Sequence, residues 1–287
     1  MALCFRKPEQ AQNYYDYLEL RALVSPSTAL GMSASVETLY RSFLQCVNEQ
    51  RWDDTLSSAS AELNHNGKDD SIQDAIRKLN KVAERVHLAV EAMTVDEQSQ
   101  CLGATVLVSV QPVGTTPDNA VQVIGQHFLW AENGKIVKIA TMLDLDDLHR
   151  RYSNPDYRSA PLDPIGNYGG VEGKKLLRQE LEEMYKAYIG CINAQTMKTE
   201  LPRFCHVEVT HNGKIYSLDQ YRGFMEDAFA AVPDIVFGLD TLVVDEGAQR
   251  VAVRIEFTGT PTGIMAGVEP TGRSGELRRF FPFYPIS

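Results

Sequence analysis

The sequence lacks a paired set of cysteines. It has five, Cys4, Cys46, Cys101, Cys191 and Cys205. An odd number with no CxxC pair argues against a zinc site and a disulfide framework. Free thiols in a reducing compartment fit better, so a cytoplasmic location is expected. Apolar runs such as Ala104 to Val108 fall far short of a membrane span. The first ten residues are charged and hold no apolar core of a signal peptide. Positive charge is also scarce: 28 basic residues face 38 acidic ones, a net charge of −10. That balance argues against nucleic acid and anionic membranes as partners. No GxGxxG, P-loop, GxSxG or HExxH pattern occurs. The His and Cys residues lack metal-ligand spacing, so no metal and no cofactor is expected.

What the chain does have is length and repetition. Its 287 residues, 44% of them hydrophobic, suffice for about two domains with real cores. The segment Val36 to Gln50 aligns without gaps on Leu181 to Gln195. Glu37, Tyr40, Cys46, Asn48 and Gln50 recur as Glu182, Tyr185, Cys191, Asn193 and Gln195. Val36, Leu39, Tyr40, Phe43, Leu44 and Val47 follow helical spacing, and Leu181, Met184, Tyr185, Tyr188, Ile189 and Ile192 repeat it. Each copy is therefore predicted to be an amphipathic helix with one buried face. Downstream, His65-Asn-Gly-Lys68 matches His211-Asn-Gly-Lys214, Asp96-Glu97 matches Asp245-Glu246, and Gly114-Thr115 matches Gly259-Thr260. Ordered matches at a nearly constant offset point to duplication.

The Pro- and Gly-rich stretch 151–173 reads as a linker. The expected organisation is an N-terminal helical arm (1–32), a first domain (33–150), the linker, and a second domain (174–287). Each domain opens with its helix. A short strand follows (Ala61 to His65; Phe204 to Thr210), then a second helix (Ser71 to Ala83; Leu218 to Ala230). Long strands come next: Val86 to Val95 and Cys101 to Val113, matched by Asp234 to Val244 and Arg250 to Thr258. The first domain adds Val121 to Ala131, an Asn133-Gly134 turn and Lys135 to Leu143. The second has no counterpart to that last hairpin, since Pro282 and Pro285 suit no central strand. The fold class is α+β: two tandem cone-shaped, barrel-like domains, each a curved antiparallel sheet wrapped by N-terminal helices, with a pocket inside.

The second domain resembles the SnoaL-like polyketide cyclases, within the nuclear-transport-factor-two-like cone fold. The residues that carry this are Asn193, Val207 to Gly213, Pro233-Asp-Ile-Val-Phe237, Val251 to Phe257, Gly259-Thr260, Gly263, Gly267 and Pro270-Thr-Gly272. The first domain resembles the family in its helix and from His127-Phe128 through Asn133-Gly-Lys-Ile136 to Asp144. The resemblance implies cofactor-free acid/base chemistry. A carboxylate in an apolar cone takes a proton from carbon, and fixed donors hold the enolate. Ketosteroid isomerase, which shares this cone, is a known instance of that arrangement.

On that reading Asp144 is the candidate base. It ends the last strand of the first domain, on the face that alternation gives to Met142 and Ala140; a strand-end turn cap is its structural reading. His127, in the neighbouring strand, is the candidate hydrogen-bond donor to substrate, or else a strand histidine satisfied by backbone. His65, Tyr40, Trp52, Arg254, His211 and Tyr185 are candidate substrate-binding residues. For His65 and His211 the alternative is a shared turn. For Tyr40, Tyr185 and Trp52 it is the core, and for Arg254 it is a solvated pair with Glu256. In the resembling family an Arg is frequent at the position of Arg254, whereas its counterpart in the first domain is Ser109. The expected function is a cyclase or isomerase for a small apolar oxygenated molecule, such as a polyketide-derived intermediate of secondary metabolism. A non-catalytic binding or scaffold protein is the rival, and a pericyclase-like enzyme without an essential carboxylate is a third reading. The expected partner is a small-molecule substrate. A homodimer and an intrachain pseudo-dimer are both open.

Overall fold

The computed structural model describes residues 35–56, 59–65, 68–70, 80–81, 83–143, 175–211, 214–264, 269–270 and 275–285. The arm, the linker, Asp144, most of the expected helix at Ser71 to Ala83, and the Asn-Gly pairs at 66–67 and 212–213 lie outside them. Two compact units divide the described residues, 35–143 in one and 175–285 in the other.

The first unit opens with α1, Val36–Asn48. Ser35 caps it by accepting from Thr38 N at 3.1 Å. Its apolar stripe is buried, as the spacing predicts. After α2 (Trp52–Leu56) come β1 (Ala59–His65), β2 (Lys68–Asp70), β3 (Ala83–Asp96), β4 (Cys101–Pro112), β5 (Val121–Glu132) and β6 (Lys135–Leu143). They form one six-stranded sheet in the order β2-β1-β6-β5-β4-β3. The long strands make the expected antiparallel meander, but β1 joins β6 in parallel. Asn133 and Gly134 turn β5 into β6 with φ of 52° and 71°, the double left-handed turn that Asn-Gly favours. Ala83 opens β3, where a helix end was expected, and pairs with Pro112 at the far end of the β3–β4 ladder.

Alternation along β4 sends Leu102, Ala104, Val106 and Val108 into the core beneath α1. On the opposite face Thr105 donates to Gln126 at 3.0 Å, both buried, and Phe128 stacks on Trp130. Both faces of this sheet are therefore dry along its central strands.

The second unit opens with α3, Arg178–Asn193, three residues earlier than the aligned segment. Next are α4 (Met197–Glu200), a 3₁₀ turn (Leu201–Arg203) and the hairpin β7 (Glu208–His211) with β8 (Lys214–Ser217). Phe204 to Val207 was expected to be strand. Phe204 N and Cys205 N instead fold back onto Leu201 O at 3.0 and 3.1 Å, continuing the turn that holds Pro202. α5, Leu218–Ala231, carries a capping box between Ser217 and Gln220. β9 (Val236–Asp245), β10 (Arg250–Gly259) and β11 (Gly275–Pro285) form an antiparallel sheet in the order β11-β10-β9.

β11 corrects the reading of the final segment. The ladder jumps between Val251↔Tyr284 and Val253↔Phe281. Pro282 thus falls in a bulge, and Pro285 ends an edge strand of the described sheet; both sites tolerate a missing N–H. β11 pairs with β10 as β5 pairs with β4. Among the described residues there is no counterpart to β6.

The same local devices recur in both units. The Asn48 amide donates to Leu88 O at 2.9 Å and accepts from Leu88 N at 2.7 Å. Asn193 does the same to Phe237, at 2.9 Å both ways. After α1 and α3, Gln50 and Gln195 take φ of 55° and 54°; between the long strands, Gln100 and Gln249 take 49° and 53°. The carboxylates of Glu97 and Glu246 accept from Val36 N and Arg178 N, at the starts of α1 and α3. The paired Gly-Thr motifs differ in their use. Gly114 supplies a turn at φ 77°. Gly259 is required by close packing, since a Cβ there would meet Val232 Cγ1 at 2.6 Å.

Candidate functional site

The second unit holds an apolar cleft between α3, α5 and the sheet. Tyr185, Tyr188, Ile189 and Ile192 face it from α3, where i, i+3, i+4, i+7 spacing stacks them on one side. Tyr221, Phe224 and Met225 face it from α5, and Phe237 and Ile255 floor it from β9 and β10. His211 closes one side from the end of β7. The free space is about 30 Å³, room for a water or two. A ring-sized guest needs Tyr188 and Phe224, both half-buried, to swing aside.

The polar groups in this cleft are few. Tyr188 and Tyr221 share a hydrogen bond of 2.8 Å between their hydroxyls. His211 is 6% exposed, with its ring against Tyr221 and Phe224. Burial pushes its pKa down to about 4, so the imidazole is neutral near pH 7. Among the described residues, no Asp, Glu, Lys or Arg lines the cleft. The chemistry on offer is hydrogen bonding from the hydroxyls of Tyr185, Tyr188 and Tyr221 and from a neutral imidazole in a dry, aromatic wall.

In the first unit Tyr40 and His127 meet inside the core. The Tyr40 hydroxyl lies 2.9 Å from His127 Nδ1, and each residue is 1% exposed. Burial raises the Tyr40 pKa above its ordinary value and lowers that of His127 to about 4. Both are neutral. His127 Nε2 is buried with no hydrogen-bond partner among the described residues.

The remaining expected residues distribute as follows. Tyr185 and His211 line the second unit's cleft, and Tyr40 contacts His127. Trp52 is half-buried against the first core, covering it. His65 ends β1 opposite Ile139 and Lys68; its side chain is outside the described residues. Arg254 does not reach the cleft. It alternates with Val253 and Ile255, so its side chain leaves the opposite face of the sheet. There it is 5% exposed and paired with Asp240 at 3.2 Å and Glu256 at 3.4 Å. That burial corrects the solvated character expected of the Arg254–Glu256 pair, and Arg254 is not among the described residues lining the cleft.

His127 lies opposite Thr141, and Leu129 opposite Ile139; Ala140 and Met142 lie opposite Phe128 and Gln126. Asp144 itself lies outside the described residues.

Tyr188, Tyr221, Phe224 and Met225 escaped the sequence reading as site residues. Tyr188 was assigned to the α3 stripe, and that spacing was the available signal. Nothing in α5 distinguishes a cleft-lining Tyr221 from a core one. Among the described residues no cluster of His, Cys, Asp and Glu could hold a metal. No helix there is long and apolar enough to cross a membrane.

Residues 182–283 match the family model of the SnoaL-like polyketide cyclases. Among solved structures the chain is similar to a SnoaL-like polyketide cyclase from Agrobacterium tumefaciens. That likeness has 17% identity and a TM-score of 0.35, over 42% of this chain and 98% of that one. It is similar to AclR from Streptomyces galilaeus, described as a putative hydroxylase, with 17% identity and a TM-score of 0.36, over 43% and 84%. It is also similar to TsrD from Streptomyces laurentii, with 21% identity and a TM-score of 0.35, over 42% and 96%. No curated protein matches the chain.

Proposed function

We propose that this chain is a cofactor-free cyclase or isomerase of small apolar oxygenated molecules, and that the cleft of the second unit receives the substrate. The supporting observation is a coincidence of position: the segment matching the SnoaL-like cyclases, 182–283, spans every residue that lines the apolar cleft. A polyketide-derived ring system suits the aromatic walls. Neutral His211, beside Tyr221, accepts the proton that leaves a carbon flanked by carbonyls, the Tyr188–Tyr221 hydroxyl pair donates to the oxygen that gains the charge, and the imidazolium gives the proton back as the product forms. We also read the two units as tandem copies of one cone fold, on the strength of the recurring Asn, Gln and Glu devices.

That no carboxylate stands among the described lining residues favours a second reading. In a pericyclase-like cleft, shape and hydrogen bonds alone hold the reactive conformer. Asp144 and His127 of the first unit are the alternative location for acid/base chemistry. The test replaces Tyr188 and Tyr221 by Phe and follows a panel of aromatic β-ketoesters by ultraviolet absorbance. Turnover falls by about a hundredfold or more if the hydroxyls hold the oxyanion, and the circular dichroism spectrum is unchanged. Full turnover in the double variant refutes the assignment.

A further inference from the structure

The sheets of the two units differ by one strand. In the first unit β6 lies between β5 and β1, antiparallel to β5 and parallel to β1. Both neighbours of β6 have counterparts in the second unit. The hairpin β1–β2 closes on His65↔Lys68, and β7–β8 closes on His211↔Lys214. β11 pairs with β10 as β5 pairs with β4. Among the described residues, no strand lies against the second edge of β7 or of β11. In the first unit β6 meets β1 at Asn64↔Lys138 and His65↔Ile139, so Thr210 and His211 form the matching edge of β7. It meets β5 at Gly125, Gln126 and His127. By the β4 and β10 registers, Arg279, Phe280 and Phe281 take those places on β11, ahead of the bulge at Pro282.

An unpaired strand edge is a template for another strand. The strand that fits here runs parallel to β7 and antiparallel to β11. Flanked on both sides, it uses every backbone N–H, which excludes proline. It also alternates, with apolar side chains toward the core as Ile136 and Ile139 of β6 supply them. Of the longer segments outside the described residues, 144–174 opens with Asp144, Asp146 and Asp147 and holds Pro155, Pro161 and Pro164. Pro8 to Val24 begins with a helix-opening proline and is rich in helix formers. Pro26 and Gly31 interrupt the stretch after it. Residues 2–6 are free of proline and alternate: Leu3 and Phe5 on one face, Ala2, Cys4 and Arg6 on the other.

We propose that residues 2–6 add a strand to the second unit, parallel to β7 and antiparallel to β11, with Leu3 and Phe5 on the core side. The chain thereby completes, with a segment far away in sequence, the sheet that its last strand leaves open. Residues 7–34 are the tether. Even with a helix over 8–24 they can span about 60 Å, so reach does not limit the pairing. The assignment rests on strand edges and holds whatever the cleft binds.

The experiment is amide hydrogen exchange on the full chain. Residues 2–6 are expected to exchange at least about tenfold more slowly than 27–34 of the same arm. Leu3→Pro removes a strand N–H. It is expected to lower protection about tenfold or more at 2–6, at 209–211 and at 279–281. It leaves α1 and the β3–β4 ladder unchanged, and Leu3→Val keeps the wild-type protection. Wild-type residues 2–6 that exchange as fast as 27–34 overturn the proposal, whatever becomes of the variants. So does a Leu3→Pro chain that frees 2–6 and leaves β7 and β11 as protected as before, which gives those edges to another segment. Protection of 2–6 that vanishes on dilution, as sedimentation shows a dimer dissociating, assigns the strand to a second copy and overturns the intrachain arrangement.

Discussion

The two units use the same joints and different linings. In each, an Asn near the end of the first helix clamps one strand residue through both backbone groups. In each, a Gln sits at positive φ where the helix ends and again where the strands turn. Inside, the first unit places one imidazole from β5 against a tyrosine hydroxyl. The second brings its imidazole from β7 and sets two tyrosine hydroxyls together. The joints are obligatory because backbone groups at helix ends and turns must be satisfied wherever they lie. The lining is freer, because any set of side chains of suitable volume fills the cone.

The largest expected effect that separates the linings is on turnover. The double change Tyr188→Phe and Tyr221→Phe should cost at least about a hundredfold. Asp144→Asn should cost less than about twofold if the second unit does the chemistry. A loss as large as that of the tyrosine pair would move the chemistry to the first unit.

The joints should break alike. Asn48→Ala and Asn193→Ala each delete two hydrogen bonds and leave strand backbone groups unpaired. Each is expected to cost about 2–3 kcal/mol in urea unfolding. A loss in one unit without the other would mean that the shared geometry is not shared energetics.

Acid should expose both imidazoles. His127 and His211 have folded pKa values of about 4, below the ordinary 6.5 or so. Between those values the unfolded chain binds the extra proton. Their contribution is therefore complete above about pH 6.5 and is lost as pH falls toward 4. For the fully enclosed His127 the whole effect is up to about 3 kcal/mol. The fall in melting temperature over that range should be smaller in His127→Phe than in the wild type. An unchanged fall would show that His127 is already solvated.

The smallest effect concerns Gly259. Gly259→Ala must push Val232 aside, lowering the second unit's melting temperature by a few degrees. Gly114→Ala strains only a turn at positive φ, and is expected to cost about 1 kcal/mol.

Much of the scaffold was legible in the chain. The i, i+3, i+4 stripes gave α1 and α3 because one face must be buried. Val, Ile and Leu alternation gave the long strands, and Asn133-Gly134 gave its hairpin. Three features were not legible. Pro282 argued against a strand because a bulge and an edge position, which excuse a proline, depend on register. Arg254 looked like a surface residue because an i, i+2 Arg/Glu pair carries no mark of which sheet face is dry. Tyr40 and His127 were named separately, but 87 residues divide them, and only the fold brings hydroxyl to imidazole. The cleft itself, closed by Tyr221 and Met225 of α5, depends on packing between elements that periodicity alone does not arrange.

The most direct test of where a substrate binds is a methyl-labelled spectrum of the full chain with 1,8-dihydroxyanthraquinone added. Met225, Ile189, Ile192 and Ile255 line the second unit's cleft, while Ile136 and Ile139 lie in the first core. The predicted result is a saturable shift of the first four methyls, abolished by a bulky Met225→Trp change. Shifts confined to Ile136 and Ile139, or no saturable shift at Met225, would contradict the assignment of the second unit as the substrate-binding half.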